Sequence, residues 1–224
     1  MILLAIDTSG KDGGITLARS DESRASEALS ISETVPLEGG TFSAQLVPQV
    51  AGLLAKHGLT KNEIGAFAVV SGPGSFTGLR VGLAAVKAMA EILEKPIAAV
   101  SRLEAVALLA PASGRLMTAL DAGRGEVYAG EYETGDGVRM LGERLLSLDE
   151  LFEAAGSAIV VTPEVKIAEG ARDRGRMVEL VVRPTSEHAA RFGWEKIRQG
   201  RTISPEQLDA NYIRRSDAEI FAKT

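Results

Sequence analysis

The chain has 224 residues, with 25 Lys or Arg against 30 Asp or Glu and a formal net charge of −5. It has no cysteine and two histidines, His57 and His188. These counts exclude a disulfide framework, thiolate metal sites, iron–sulfur clusters and a cysteine nucleophile, and no helical histidine pair for a metal can be written.

Hydrophobic residues make up 45% of the chain, enough for a core, and aromatics 4%, too few for base-stacking platforms. Ile2-Leu3-Leu4-Ala5-Ile6 reads as a buried strand ending at Asp7. That run is too short for a signal peptide, and no later one approaches the ~18 apolar residues of a membrane span. A Gly-rich turn, Thr8-Ser9-Gly10-Lys11-Asp12-Gly13-Gly14, leads to a strand at 15–18 and a third within 25–35, an antiparallel meander. Residues 41–56 read as a helix with Phe42, Leu46, Val50, Leu53 and Leu54 on one face and Gly58 as its stop. A dense strand at 64–70, a helix ending near Leu93 and a strand at 97–100 form a crossover, whose strands run parallel.

The plan then repeats. A helix at 103–110 precedes the strand Arg115-Leu116-Met117-Thr118-Ala119-Leu120, which ends at Asp121 as the first strand ends at Asp7. Strands at 126–132 and 138–145 complete a second meander. Helix and strand then alternate: 148–155, 157–161, 164–174, 177–181 and 186–199. Strands first and helix–strand alternation after, twice over, predict two α/β domains, 1–100 and 101–224, with the C-terminal tail packing back on the first. His57, in the last turn of a helix, and His188, near a helix start, read as structural.

Three features bear on chemistry. The loop from Gly72 through Gly74, Ser75 and Thr77 to Gly78 joins a strand to a helix N-terminus, where free N–H groups favour an anion. It is neither a Walker A loop, since no GK[ST] follows, nor a dinucleotide fingerprint, since Thr77 stands where a third glycine is needed. A capped turn held for packing explains it as well. The helix beyond it is rich in small residues (Gly78, Gly82, Ala84, Ala85, Ala88, Ala90) and apolar nearly all round, which predicts burial on more than one side. Asp7 and Asp121, at strand ends beside Gly turns, suit a magnesium–phosphate contact or simply organise the turns.

Four blocks occur in order along the chain: 2–9, Gly72-Pro73-Gly74-Ser75-Phe76-Thr77-Gly78-Leu79-Arg80-Val81-Gly82, Asp121-Ala122-Gly123-Arg124-Gly125-Glu126-Val127-Tyr128, and Tyr212-Ile213-Arg214. Together they resemble the TsaB (YeaZ) family of the bacterial tRNA threonylcarbamoyladenosine machinery. The resemblance implies two ribonuclease-H-like lobes of the actin, sugar-kinase and heat-shock-chaperone superfamily, with mixed sheets and flanking helices. It implies a non-catalytic cytoplasmic subunit that activates the catalytic subunit TsaD, which carries a metal-binding His-x-x-x-His motif, together with the ATPase TsaE. It also implies a homodimer when the chain is alone and tRNA contact only through the complex, with no membrane role. Two departures stand out: Phe42-Ser43 where members commonly carry His before Ser or Thr, and Gly123 within the family's frequent Asp-Ala-Arg-Arg.

On this resemblance the partner face is expected on the first two helices, at Phe42, Leu46, Gln49, Val50, Leu53, Leu79, Leu83, Val86 and Lys87. Nucleotide or anion contact is expected at Asp7, Thr8, Ser9, Gly72, Gly74, Ser75 and Thr77. No intrinsic cofactor is implied, with ATP or ADP at the interface of the complex. Two rivals are a nucleotide-dependent kinase or ATPase built on Asp7 and, more remotely, a glycoprotease-like peptidase.

Overall fold

A computed structural model describes residues 1–20, 28–111, 113–135 and 137–214. In chain order these hold β1 (Ile2–Asp7), β2 (Gly13–Ser20), β3 (Leu29–Leu37), α1 (Phe42–Lys56), a 3-10 turn (Lys61–Glu63), β4 (Ile64–Gly72), α2 (Phe76–Leu93), β5 (Ile97–Ser101) and α3 (Arg102–Leu108). There follow β6 (Gly114–Gly123), β7 (Glu126–Thr134), β8 (Val138–Ser147), α4 (Leu148–Ala155), β9 (Ile159–Thr162), α5 (Val165–Asp173), β10 (Val178–Leu180) and α6 (Ser186–Arg198).

The strands form two five-stranded mixed sheets, ordered β3-β2-β1-β4-β5 and β10-β9-β6-β7-β8. In the first, β1, β2 and β3 are antiparallel, and β4 and β5 run parallel beyond β1. In the second, β6, β7 and β8 repeat the meander, and β9 and β10 run parallel beyond β6. The repeat read between 3–7 and 117–121 is therefore structural: each strand is the centre of its sheet. The expected two-lobed ribonuclease-H-like architecture is present.

The third strand lies later than the 25–35 expected for it, and residues 25–27 fall outside the described residues. It runs on past Pro36, opposite Gly14. An edge strand tolerates proline, because the missing N–H faces no partner.

The chain divides into two compact units: Met1–Arg102 with Pro184–Ala210, and Leu103–Arg183 with the described residues from Asn211 on. The division at 100/101 thus falls within two residues of the first crossing, but α6 belongs to the first unit, not the second. Packing explains the difference. Leu4, Ile6, Leu17, Phe67 and Val69 face α1 and α2 on one side of the first sheet. The alternate residues Leu3, Ala5, Ala18, Ala66 and Ala68 face the other side, with Ala190, Trp194 and Ile197 of α6 against them. The small side chains let the helix lie close: a Cβ on Gly193 would come 2.4 Å from Ala68 Cβ. Ser186 Oγ also lies 2.8 Å from Thr16 Oγ1, which is 2.9 Å from Thr34 Oγ1, a hydroxyl chain that joins α6 to β2 and β3, buried at Ser186 and Thr16.

Among the carboxylates held below their ordinary value are Glu33, Glu63 and Glu150. Glu33 is lowered by hydrogen bonds from Lys56 and His57, Glu63 by the Thr60 N–H and hydroxyl, and Glu150 by those of Ser147. His188, at N3 of α6, accepts from the Thr185 N–H at 3.2 Å through Nδ1. Burial lowers it from its ordinary 6.5. All four groups bind protons less well in the folded chain, so each contributes stability above its unfolded value and loses it as pH falls through its folded one. The thermal midpoint is accordingly expected to fall on acidification, first below about pH 6.5 through His188 and then through the carboxylates below about pH 4.5. Melts of wild type and Glu150→Gln check this: the substitution lowers stability at neutral pH and flattens the acid limb.

Candidate functional site

β1 and β4 run parallel and end at one edge of the first sheet, which sets the Asp7–Ser9 turn beside the Gly72–Gly78 loop. Asp7 Oδ1 accepts from the Ser9 N–H at 2.9 Å and the Ser9 hydroxyl at 2.6 Å. The Thr8 hydroxyl donates to the Gly78 carbonyl at 2.7 Å. The Ser75 N–H donates to the Ser9 carbonyl at 2.8 Å, and Ser75 Oγ caps α2 by accepting from the Gly78 N–H at 3.2 Å. The Arg102 guanidinium holds the loop from outside, on the Pro73 carbonyl at 3.3 Å.

Glycine is required along this contact. A Cβ on Gly74 would lie 2.2 Å from the Ser9 carbonyl oxygen, one on Gly78 2.1 Å from that of Thr8, and one on Gly82 2.3 Å from Thr8 Oγ1. Spacings of four put Gly78 and Gly82 on one helix face. Backbone therefore packs on backbone. The structure brings Asp7, Thr8, Ser9, Gly74 and Ser75 together, with Gly72 ending β4 at φ +119° and Thr77 exposed in the first turn of α2. The Thr8 hydroxyl and the Ser9 N–H and hydroxyl, expected at an anion, are committed inside the chain.

Asp121 organises its own turn, with Oδ1 accepting from the Gly123 N–H at 2.7 Å. Gly123, Arg124 and Gly125 all have positive φ, so glycine suits the position where the family often has arginine. No group of three or more His, Asp or Glu suited to a metal occurs among the described residues. His57 Nε2 pairs with Glu33 at 2.9 Å, and His188 caps α6.

The expected partner face needs correcting. Phe42, Leu46, Val50 and Leu53 of α1 and Leu79, Leu83 and Val86 of α2 are buried in the first unit's own core. They are the inward stripe of each helix, and only Gln49 and the half-buried Lys87 reach solvent. The outward face is a different set. On α1 it carries Val47, 63% exposed, with Ala44, Ala51 and Ala55; on α2 it carries Ile92, 74% exposed, with Ala84 and Ala88 and the charged Arg80 and Glu91. Lys56 is the only charged residue in α1, and it pairs with Glu33 at 2.6 Å. A Cβ on Gly52 would meet nothing within 4 Å, so the chain's own packing does not require that glycine. It costs about 1 kcal/mol against alanine in a helix.

The late motif has a place that spacing did not reveal. Ile213 packs into the core cluster on the α3 side of the second sheet. Arg214 Nη1 donates to the Ala122 carbonyl at 2.8 Å, and its guanidinium pairs with Glu126. Tyr212-Ile213-Arg214 thus fastens onto the 121–128 block; Arg215 lies outside the described residues.

A profile of the family described as "TsaD: tRNA N6-adenosine threonylcarbamoyltransferase" matches residues 35–184. The chain is 36% identical over 143 residues to the Bacillus subtilis "tRNA threonylcarbamoyladenosine biosynthesis protein TsaB", covering 62% of this chain and 58% of that one. It therefore spans less than two thirds of that relative. To the Escherichia coli protein of the same description it is 27% identical, covering 97% of this chain and 96% of that one. The structure of YeaZ from Pseudomonas aeruginosa superposes with a TM-score of 0.70 at 26% identity, covering 94% of this chain and 99% of that one.

Proposed function

The chain belongs to the TsaB (YeaZ) family, and we propose that it serves tRNA threonylcarbamoyladenosine biosynthesis as a non-catalytic subunit that docks on a TsaD-like catalytic subunit. The observation that carries the docking is the outward face of α1 and α2, which sets small and apolar residues around Val47 and Ile92, with Lys56, Arg80 and Glu91 as its exposed charges. Small residues allow a partner's helices to approach closely, and exposed apolar area rewards their doing so. A second copy of the chain covers the same face when the partner is absent. The TsaE-like ATPase joins the assembly through the partner. The net charge of −5 supports leaving the grip on tRNA to other subunits. The protein works in the cytoplasm; no helix among the described residues is long and apolar enough to cross a membrane.

The commitment of the Asp7–Ser9 donors within the chain favours this reading over the kinase or ATPase alternative. Nucleotide in the assembly is then held by partner groups. Titrating the isolated chain with ATP and magnesium is expected to give no binding heat. Tight binding with Asp7-dependent turnover would restore the ATPase reading. The decisive experiment is reconstitution: tRNA modification requires this chain together with a TsaD-like subunit and does not occur with this chain alone. Full modification without the chain overturns the proposal.

A further inference from the structure

We infer that Thr8 is a positioning residue, which sets α2 at the angle its docking face needs. The inference rests on the docking role proposed above. Thr8 is buried at the exit of the central strand, and its hydroxyl donates to the Gly78 carbonyl in the first turn of α2 at 2.7 Å. The same oxygen sits where a Cβ on Gly82 would come 2.3 Å from it, so it touches the helix again one turn later. The Thr8 carbonyl fills the corresponding space at Gly78. One side chain and its own carbonyl therefore fix two successive turns of α2 against the rigid centre of the sheet.

This matters at the far end of the helix. Ile92 lies 14 residues beyond Gly78, about 21 Å along the axis at 1.5 Å per residue, so a tilt of about 10° at the first turns moves it by roughly 4 Å. Such a shift leaves the core stripe in contact with the sheet but spoils a close-packed face of small residues, where fit decides affinity. The strand-exit turn is thus put to use in aiming a helix.

The test is calorimetric titration of the full-length chain with a TsaD-like partner, each variant first shown folded by circular dichroism at the assay temperature. Thr8→Val keeps the shape and removes the donor. It is expected to bind at unchanged stoichiometry with Kd raised about tenfold, about 1.4 kcal/mol. Thr8→Ser, which keeps the hydroxyl, is expected within about twofold of wild type. Thr8→Ala removes the donor without adding bulk and gives the same pattern as valine should the valine variant not fold. A fall in stoichiometry at unchanged Kd, or wild-type Kd in both Thr8→Val and Thr8→Ala, overturns the positioning role. Val47→Glu is run alongside. If it and the wild type bind alike, or the wild type does not bind, the docking face itself is wrong and this inference falls with it. If Val47→Glu fails to bind while Thr8→Val binds normally, only the positioning role falls.

Discussion

Replacing Val47 and Ile92 by glutamate is expected to leave the chain folded and to abolish its copurification with a TsaD-like subunit. Both side chains stand mostly in solvent, so the substitutions cost the isolated fold little. At a closed interface each carboxylate would be buried without a partner, which costs several kcal/mol. Two such losses amount to more than 1,000-fold in affinity. The control is Val86→Asp, a fully buried position in the first core. An unpaired charge there is expected to unfold the protein, and its loss of binding carries no information about docking. Gel filtration and thermal melts separate the two cases. Copurification of the folded Val47→Glu/Ile92→Glu double variant at wild-type yield would remove α1 and α2 as the docking face.

Ending the chain after Arg183 is expected to destroy the first unit, although every strand of its sheet remains. The truncation strips α6 from the face formed by Leu3, Ala5, Ala18, Ala66 and Ala68. It also removes Ser186 from the hydroxyl chain of Thr16 and Thr34, leaving the buried Thr16 without that partner. Burying a handful of apolar side chains contributes roughly 5–10 kcal/mol, comparable with the about 5–15 kcal/mol by which whole domains are stable. Insoluble expression of 1–183, and a soluble, cooperatively melting product when 184–210 is joined to residue 102 through a flexible Gly/Ser linker, are the expected results. A 1–183 product that is soluble and melts like the full chain would show that α6 is dispensable.

Most of the elements were legible because their signals are local. The buried residues of α1 are the five apolar positions its spacing marks, Phe42, Leu46, Val50, Leu53 and Leu54. Gly58 ends that helix at φ +66°, and Leu148–Ala155 is a helix with a Ser147–Glu150 capping box. What depends on distant partners was not legible. Helix α2 has apolar residues on two sides, and periodicity alone does not say whether Leu83 or Ala84 faces the sheet; Leu79, Leu83 and Val86 face inward, with Ala84, Ala88 and Ile92 outward. The assignment of α6 to the first unit depends on alanines more than a hundred residues away. The loop glycines 74 and 78 suit an anion as well as a packed turn by spacing alone; in the fold the Thr8–Ser9 backbone fills the space beside them. The link from Arg214 to the Ala122 carbonyl joins two motifs that spacing kept apart.

The chain crosses between its two units three times, at 102/103, 183/184 and 210/211. The body of the second unit is therefore an insertion between β5 and the helix that closes the first. During synthesis the first sheet leaves the ribosome complete in strands but open on one face. It stays so until α6 emerges, 96 residues after Arg102, or roughly 5–20 s at about 5–20 residues per second. The later unit can close before the earlier one. Over that interval an alanine-rich sheet face is open to other nascent chains, and any slowing of translation between 103 and 183 lengthens the exposure. The yield of soluble protein is thus tied to elongation speed through a segment that contributes nothing to the first sheet.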